Sequence, residues 1–145
     1  MAHVRIRKFN NRDWYPGQDI GNDACMAVRA GSHVFLRGQT GFDIDGVFHG
    51  IDDPTLQAET AMKCVKQLLD EAGAGLHDVC KVTVYVTDRK HRTEVYQVLQ
   101  SWFEGIHPCY TGLIVKGLAR PEMLVEIDVD AVIAGDCANE RGNAV

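Results

Sequence analysis

The sequence has no apolar run approaching the ~20 residues that a helix needs to cross a bilayer, so a membrane partner is not expected. Its first residues, Met1-Ala2-His3-Val4-Arg5-Ile6-Arg7, are basic but lack the apolar stretch of a signal peptide, and a cytoplasmic location is expected. Nor is there an excess of basic residues. The 15 Lys and Arg stand against 20 Asp and Glu, for a net charge of −5. A nucleic-acid binder draws most of its affinity from cations set against phosphates, so nucleic acid is not expected as a partner. No pair among Cys25, Cys64, Cys80, Cys109 and Cys137 has CxxC spacing. A zinc ribbon or thioredoxin-type site is thereby unsupported, and reduced, mostly buried thiols fit best. The six histidines show no HxH or HExxH spacing, which leaves no recognisable metal site.

What is present is an ordinary globular balance, 46% hydrophobic and 24% charged over 145 residues. A single domain over residues 1–135 is expected. The small polar stretch 136–145 reads as a flexible tail.

Alternation in Val4-Arg5-Ile6-Arg7 predicts a short strand, and Asn10 to Asn22, with Pro16, predicts a loop. Ala24–Arg29 and His33–Arg37, joined by Ala30-Gly31-Ser32, predict a hairpin. A long glycine- and aspartate-rich loop follows from Gly38 to Asp53, a length that is often functional. Asp53 then offers an N-cap, Pro54 a first helical residue and Gly73 a stop. Between them Leu56, Met62, Val65, Leu69 and Ala72 recur at helical spacing, with Gln57, Glu59, Lys63, Lys66 and Asp70 assigned to the opposite, polar side. Val79–Thr87 alternates strictly and predicts a strand with Val82, Val84 and Val86 on one face. A second helix is predicted from Asp88 to about Glu104, striped by Val95, Val98, Leu99, Trp102 and Phe103 and ended by Gly105 and Pro108. Two strands, Tyr110–Lys116 and Leu124–Ile133, close the chain. The order β-β-β-α-β-α-β-β predicts an α+β domain, a mixed six-stranded sheet with two helices on one face. The other face carries Glu126, Asp128 and Asp130 but also Leu124 and Val132. A partly apolar second face on so small a domain points to burial against another subunit.

Several segments together carry a resemblance. They are Gly38-Gln39, Asp53-Pro54-Thr55-Leu56-Gln57-Ala58-Glu59-Thr60 and Leu68-Leu69-Asp70-Glu71-Ala72-Gly73-Ala74. His77 to Asp88 and the closing Val125-Glu126-Ile127-Asp128 complete the set. In order and spacing they resemble the signatures of the Rid family (YjgF/YER057c/UK114) over roughly residues 24–133. The resemblance implies a chorismate-mutase-like fold, a homotrimer with small-molecule sites in the clefts between subunits, and no metal or organic cofactor. It also implies hydrolysis or deamination of imines such as 2-imino acids. The ribonuclease description that circulates for the family gains no support from the acidic balance.

The imine-hydrolysing branch places an arginine two residues after the proline that opens the penultimate strand, to clamp the substrate carboxylate. This chain reads His107-Pro108-Cys109-Tyr110-Thr111-Gly112, with Tyr110 at that place and therefore no fixed charge or fork. The tyrosine that lines the family's cleft near the N-terminus is replaced by Ala24 or Cys25. Arg37 stands where the family has a small residue, and can return a cation to the cleft from the opposite wall; its alternative is an interface salt bridge. Glu126 matches the family's site glutamate and is the candidate for activating water, against the alternative of a solvated sheet carboxylate. Tyr110 is a candidate hydrogen-bond donor. Gly38, Gln39, Cys109 and Thr111 are candidate substrate contacts, although Gly38, Gln39 and Thr111 also suit turns and Cys109 suits an inert buried thiol. A nucleophilic Cys109 with His107 as base requires the two to share a strand face. The expected function is hydrolysis of an imine, enamine or related C–N group in a small polar, anionic metabolite. The alternative is a trimeric small-molecule-binding protein without turnover.

Overall fold

The computed structural model describes residues 2–135 apart from positions 16 and 18, so the expected tail at 136–145 lies outside the described residues. The chain runs β1 (Val4–Asn10), α1 (Asn11–Trp14), β2 (Asp23–Ala30), β3 (His33–Leu36), α2 (Pro54–Glu71), β4 (Val79–Val86), α3 (Arg92–Trp102), β5 (Cys109–Ile114) and β6 (Val125–Val132). The six strands form one sheet in the order β1-β2-β3-β6-β4-β5. Only β4 and β5 pair in parallel, because α3 crosses between them. The expected mixed sheet with helices is the one found.

The anticipated start of α2 holds in detail. The Asp53 side chain accepts from Leu56 N at 3.0 Å, Pro54 occupies the first turn, and Gly73 takes a φ of +80° just past the end. Asp88 caps as foreseen by accepting from Lys90 N at 2.9 Å, but the turn it opens is a 3-10 turn, Arg89–His91, and the α-helix begins only at Arg92. The stretch expected to be loop from Asn10 to Asn22 contains α1, which Asn10 caps by accepting from Arg12 N.

Alternation decides what each face does. Val82, Val84 and Val86 of β4 and Val125, Ile127, Val129 and Ala131 of β6 are buried beneath the two helices. Burial of each valine or isoleucine side chain among them contributes about 1.5–3 kcal/mol relative to exposure. Glu126, Asp128 and Asp130 point to the other face, which no helix of the described residues covers and where Phe35 and Leu113 stand 47% and 44% exposed.

Two assignments on α2 need correction. Leu56 is exposed and Thr60 is buried, so the apolar stripe begins at Ala58. Gln57, assigned to the polar side, is fully buried. Its Nε2 donates to Gly50 O at 2.7 Å and to Glu122 O at 3.0 Å, and its Oε1 accepts from Leu124 N at 2.8 Å. One amide thus ties α2 to the loop before it and to the segment entering β6. An amide supplies the two donors and the acceptor that no hydrocarbon can.

Gln57→Leu keeps the volume and leaves those three backbone groups without their partner. It is expected to lower unfolding stability by about 3 kcal/mol or more in urea titration, since each unpaired buried group costs roughly 1–3 kcal/mol.

Candidate functional site

Where β3 ends, the chain is held against β6. Gln39 and Ile127 exchange backbone hydrogen bonds at 2.9 and 2.8 Å, and Gln39 Nε2 donates to Arg37 O at 2.7 Å. Arg37 N donates to Met26 O at 2.8 Å. The Arg37-Gly38-Gln39 segment is therefore fixed on both sides. Gly38 lies so close to β6 that a Cβ there would sit 2.8 Å from Glu126 Cδ and 2.9 Å from Asp128 Oδ1. Absence of a side chain at Gly38 is what lets the Glu126 carboxyl rest against the strand end.

Arg37 and Glu126 line one cavity of about 190 Å³, together with Asn11, Tyr15, Thr40 and Met123. The Arg37 guanidinium lies over the rings of Phe9 and Tyr15, 5.4 and 5.1 Å from their centroids. It is thus positioned by aromatic faces. Glu126 titrates above the ordinary carboxylate range. Burial is the main cause and the neighbouring Asp128 adds to it, while Arg37 pulls the other way. Asp128 is raised too, by burial first, although Tyr85 Oη donates to it at 3.3 Å and works in the opposite direction.

Tyr15 was not foreseen. It is buried against Arg37 and Phe42 because α1 turns the chain back toward the sheet. The signal was available in Asn10, an N-cap residue type directly before Asn11-Arg12-Asp13-Trp14.

The remaining candidates lie elsewhere. Tyr110 pairs with core-facing Val82, so it points to the helix face, where it packs 6.0 Å from Tyr96 and 6.3 Å from Phe103. Within one chain the sheet separates it from Glu126. Its hydroxyl is pushed up by burial and then by Tyr96. Cys109 and Thr111 share the open face with Glu126, but β4 lies between, a separation of about 10 Å at two strand spacings. Thr111 Oγ1 accepts from Lys81 Nζ. His107 precedes β5 with a φ of +58°, so strand alternation does not extend to it and gives no reason for it to align with Cys109. Gln39 is buried with its amide engaged by Arg37 O, a supporting arrangement. Among the described residues no group of three or more His, Cys, Asp or Glu could hold a metal ion, and no helix is long and apolar enough to cross a membrane.

The arrangement offers a cation and a carboxyl of raised proton affinity across one small cavity. Such a pair can bind an acidic group and exchange a proton with a bound water.

A sequence model of the endoribonuclease L-PSP family matches residues 24–133. A RutC family protein of Pyrococcus abyssi is 30% identical over 106 residues, covering 73% of this chain and 83% of that one. A solved member of the YjgF/YER057c/UK114 family from Mycobacterium tuberculosis superposes with a TM-score of 0.74 at 30% identity, covering 91% of this chain and 100% of its own. Yeast Mmf1 superposes with a TM-score of 0.68 at 27% identity, covering 76% of this chain and 86% of its own.

The sign of the Glu126 shift fixes a pH dependence. Between its ordinary value of 4.5 and its higher folded value, the folded protein binds more protons than the unfolded chain, so stability falls as pH rises through that window. Glu126→Gln removes this contribution. The variant is expected to melt higher than the parent at pH 7, with the difference shrinking as pH drops below 4.5, in paired thermal scans.

Proposed function

Because the chain belongs to the endoribonuclease L-PSP family, known also as YjgF/YER057c/UK114, we propose that it hydrolyses an imine, enamine or related C–N group of a small anionic metabolite. The observation that carries this reading is the Arg37–Glu126 cavity. Arg37 holds the acidic group of the substrate. Glu126, as the carboxylate, takes a proton from water as its oxygen adds to the carbon of the protonated imine, giving a neutral carbinolamine. The same carboxyl then returns that proton to nitrogen, and as the C–N bond breaks the hydroxyl proton passes to the carboxylate, leaving a carbonyl and ammonia. A carboxyl held above its ordinary range by burial suits both halves of that exchange. Arg37 takes over the anchoring that the family's imine hydrolases assign to an arginine at the place of Tyr110. No metal or organic cofactor takes part.

The site is completed by other copies of the chain. Strand β5 is exposed along its length, and Tyr110, Leu113 and Ile114 are its apolar residues. An uncovered apolar edge of this kind favours a partner, and three copies would set β5 of one subunit beside the Glu126 face of another. Light scattering is expected to give the mass of a trimer. Leu113→Glu is expected to shift it to monomer, with loss of turnover.

The second reading, binding without turnover, is favoured by the lack of a bidentate cation at Tyr110. The two readings part on ammonia release from a panel of freshly generated 2-imino acids and enamines. Hydrolysis predicts release that Glu126→Gln lowers by a hundredfold or so and that Arg37→Ala weakens mainly through KM. Binding alone predicts ligand-induced thermal stabilisation with no ammonia.

A further inference from the structure

The Arg37–Glu126 cavity has a neighbour at that end of the sheet. On the far side of Ala119 and Met123, which line both, lies a second cavity of about 340 Å³. Its walls carry Thr87, Lys116, Gly117 and Arg120. Among the described residues no acidic side chain lines it, whereas the first cavity holds Glu126. Lys116 is exposed and joins no ion pair among the described residues. Arg120 is held in place, its Nε 2.8 Å from Glu122 Oε1 and its guanidinium over the Phe42 ring at 5.8 Å. The backbone behind it is fixed as well, because Met123 N donates to Arg120 O and Thr87 N to Leu124 O, both at 3.1 Å. One cation without an ion-pair partner among the described residues, Lys116, and a second, Arg120, already paired with Glu122, thus stand in a compartment that shares Ala119 and Met123 with the candidate reaction site.

We propose that this compartment is a second anion subsite, and that the ligand of the site is a small metabolite with two acidic groups, of the 2-oxo or 2-imino dicarboxylate class. The group next to the reacting carbon meets Arg37. The distal carboxylate passes Ala119 and Met123 to reach Lys116, with the Thr87 hydroxyl as a further donor. A monocarboxylate fills the first compartment alone and leaves the ammonium of Lys116 to water. This inference rests on Arg37 holding the first acidic group, as proposed above.

Calorimetric titration of the full chain with pyruvate and with 2-oxoglutarate tests it. 2-Oxoglutarate is expected to bind about tenfold more tightly than pyruvate, the gain of one charge-assisted contact. Lys116→Met is expected to bring that ratio close to one, and Arg37→Ala to weaken both ligands. A parent ratio of one or below, or a ratio that survives Lys116→Met, overturns the dicarboxylate subsite while leaving the Arg37 site standing. Pyruvate binding indifferent to Arg37→Ala, or no binding of either acid, overturns both.

Discussion

The amide of Gln57 is the constraint on which the site end of the molecule depends. It sits fully buried on α2 and satisfies Gly50 O, Glu122 O and Leu124 N at once. Gly50 belongs to the loop that leaves β3, and Glu122 and Leu124 belong to the segment that enters β6. Thr40 in the first of these and Met123 in the second wall the Arg37–Glu126 cavity. The cavity therefore keeps its shape through a residue that does not line it. The loop is packed tightly enough around this amide that a Cβ on Gly41 would stand 2.9 Å from Gln57 Cγ and one on Gly50 3.0 Å from it. A helix, two glycines and one amide form a unit in which none can change size independently.

Beside that rigid wall the fold carries an electrostatic cost. Glu126, Asp128 and Asp130 follow one another on the same face of β6, and the first two titrate above the ordinary range because burial disfavours their charge. Only Arg37 works against the shift at Glu126, and it does so while resting on aromatic rings. A carboxyl retained under such conditions has gained proton affinity at the expense of stability, a common arrangement at reactive sites.

Local signals made much of the fold legible. Asp53-Pro54 and Gly73 bracket α2, and the valines of β4 declare their buried face by alternation alone. Gln57 escaped because its side-chain type favours the surface, and only the three-dimensional meeting of two loops gives it buried partners. Tyr15 escaped because a four-residue helix has too little periodicity to announce itself. For the site, Arg37, Gly38 and Glu126 were identifiable in sequence, and the structure brings them together. The placement of Tyr110 followed from parity. On β5 it alternates with Cys109 and Thr111, so no single chain can aim all three at one point.

That parity bears on how the site can work. Glu126 faces the open side of the sheet, and Tyr110 faces the helices from an edge strand. A residue at position 110 can act with Glu126 only across a boundary between copies, whatever its chemistry. A cation at position 37 is subject to no such condition, because β3 neighbours β6 and Gly38 presses against the Glu126 carboxyl. A positive charge at the end of β3 therefore meets Glu126 within one chain, where one on β5 could meet it only from another copy. It enters the cavity from the side of Tyr15, over whose ring the guanidinium lies, whereas Tyr110 on β5 presents an uncharged hydroxyl to the helix face.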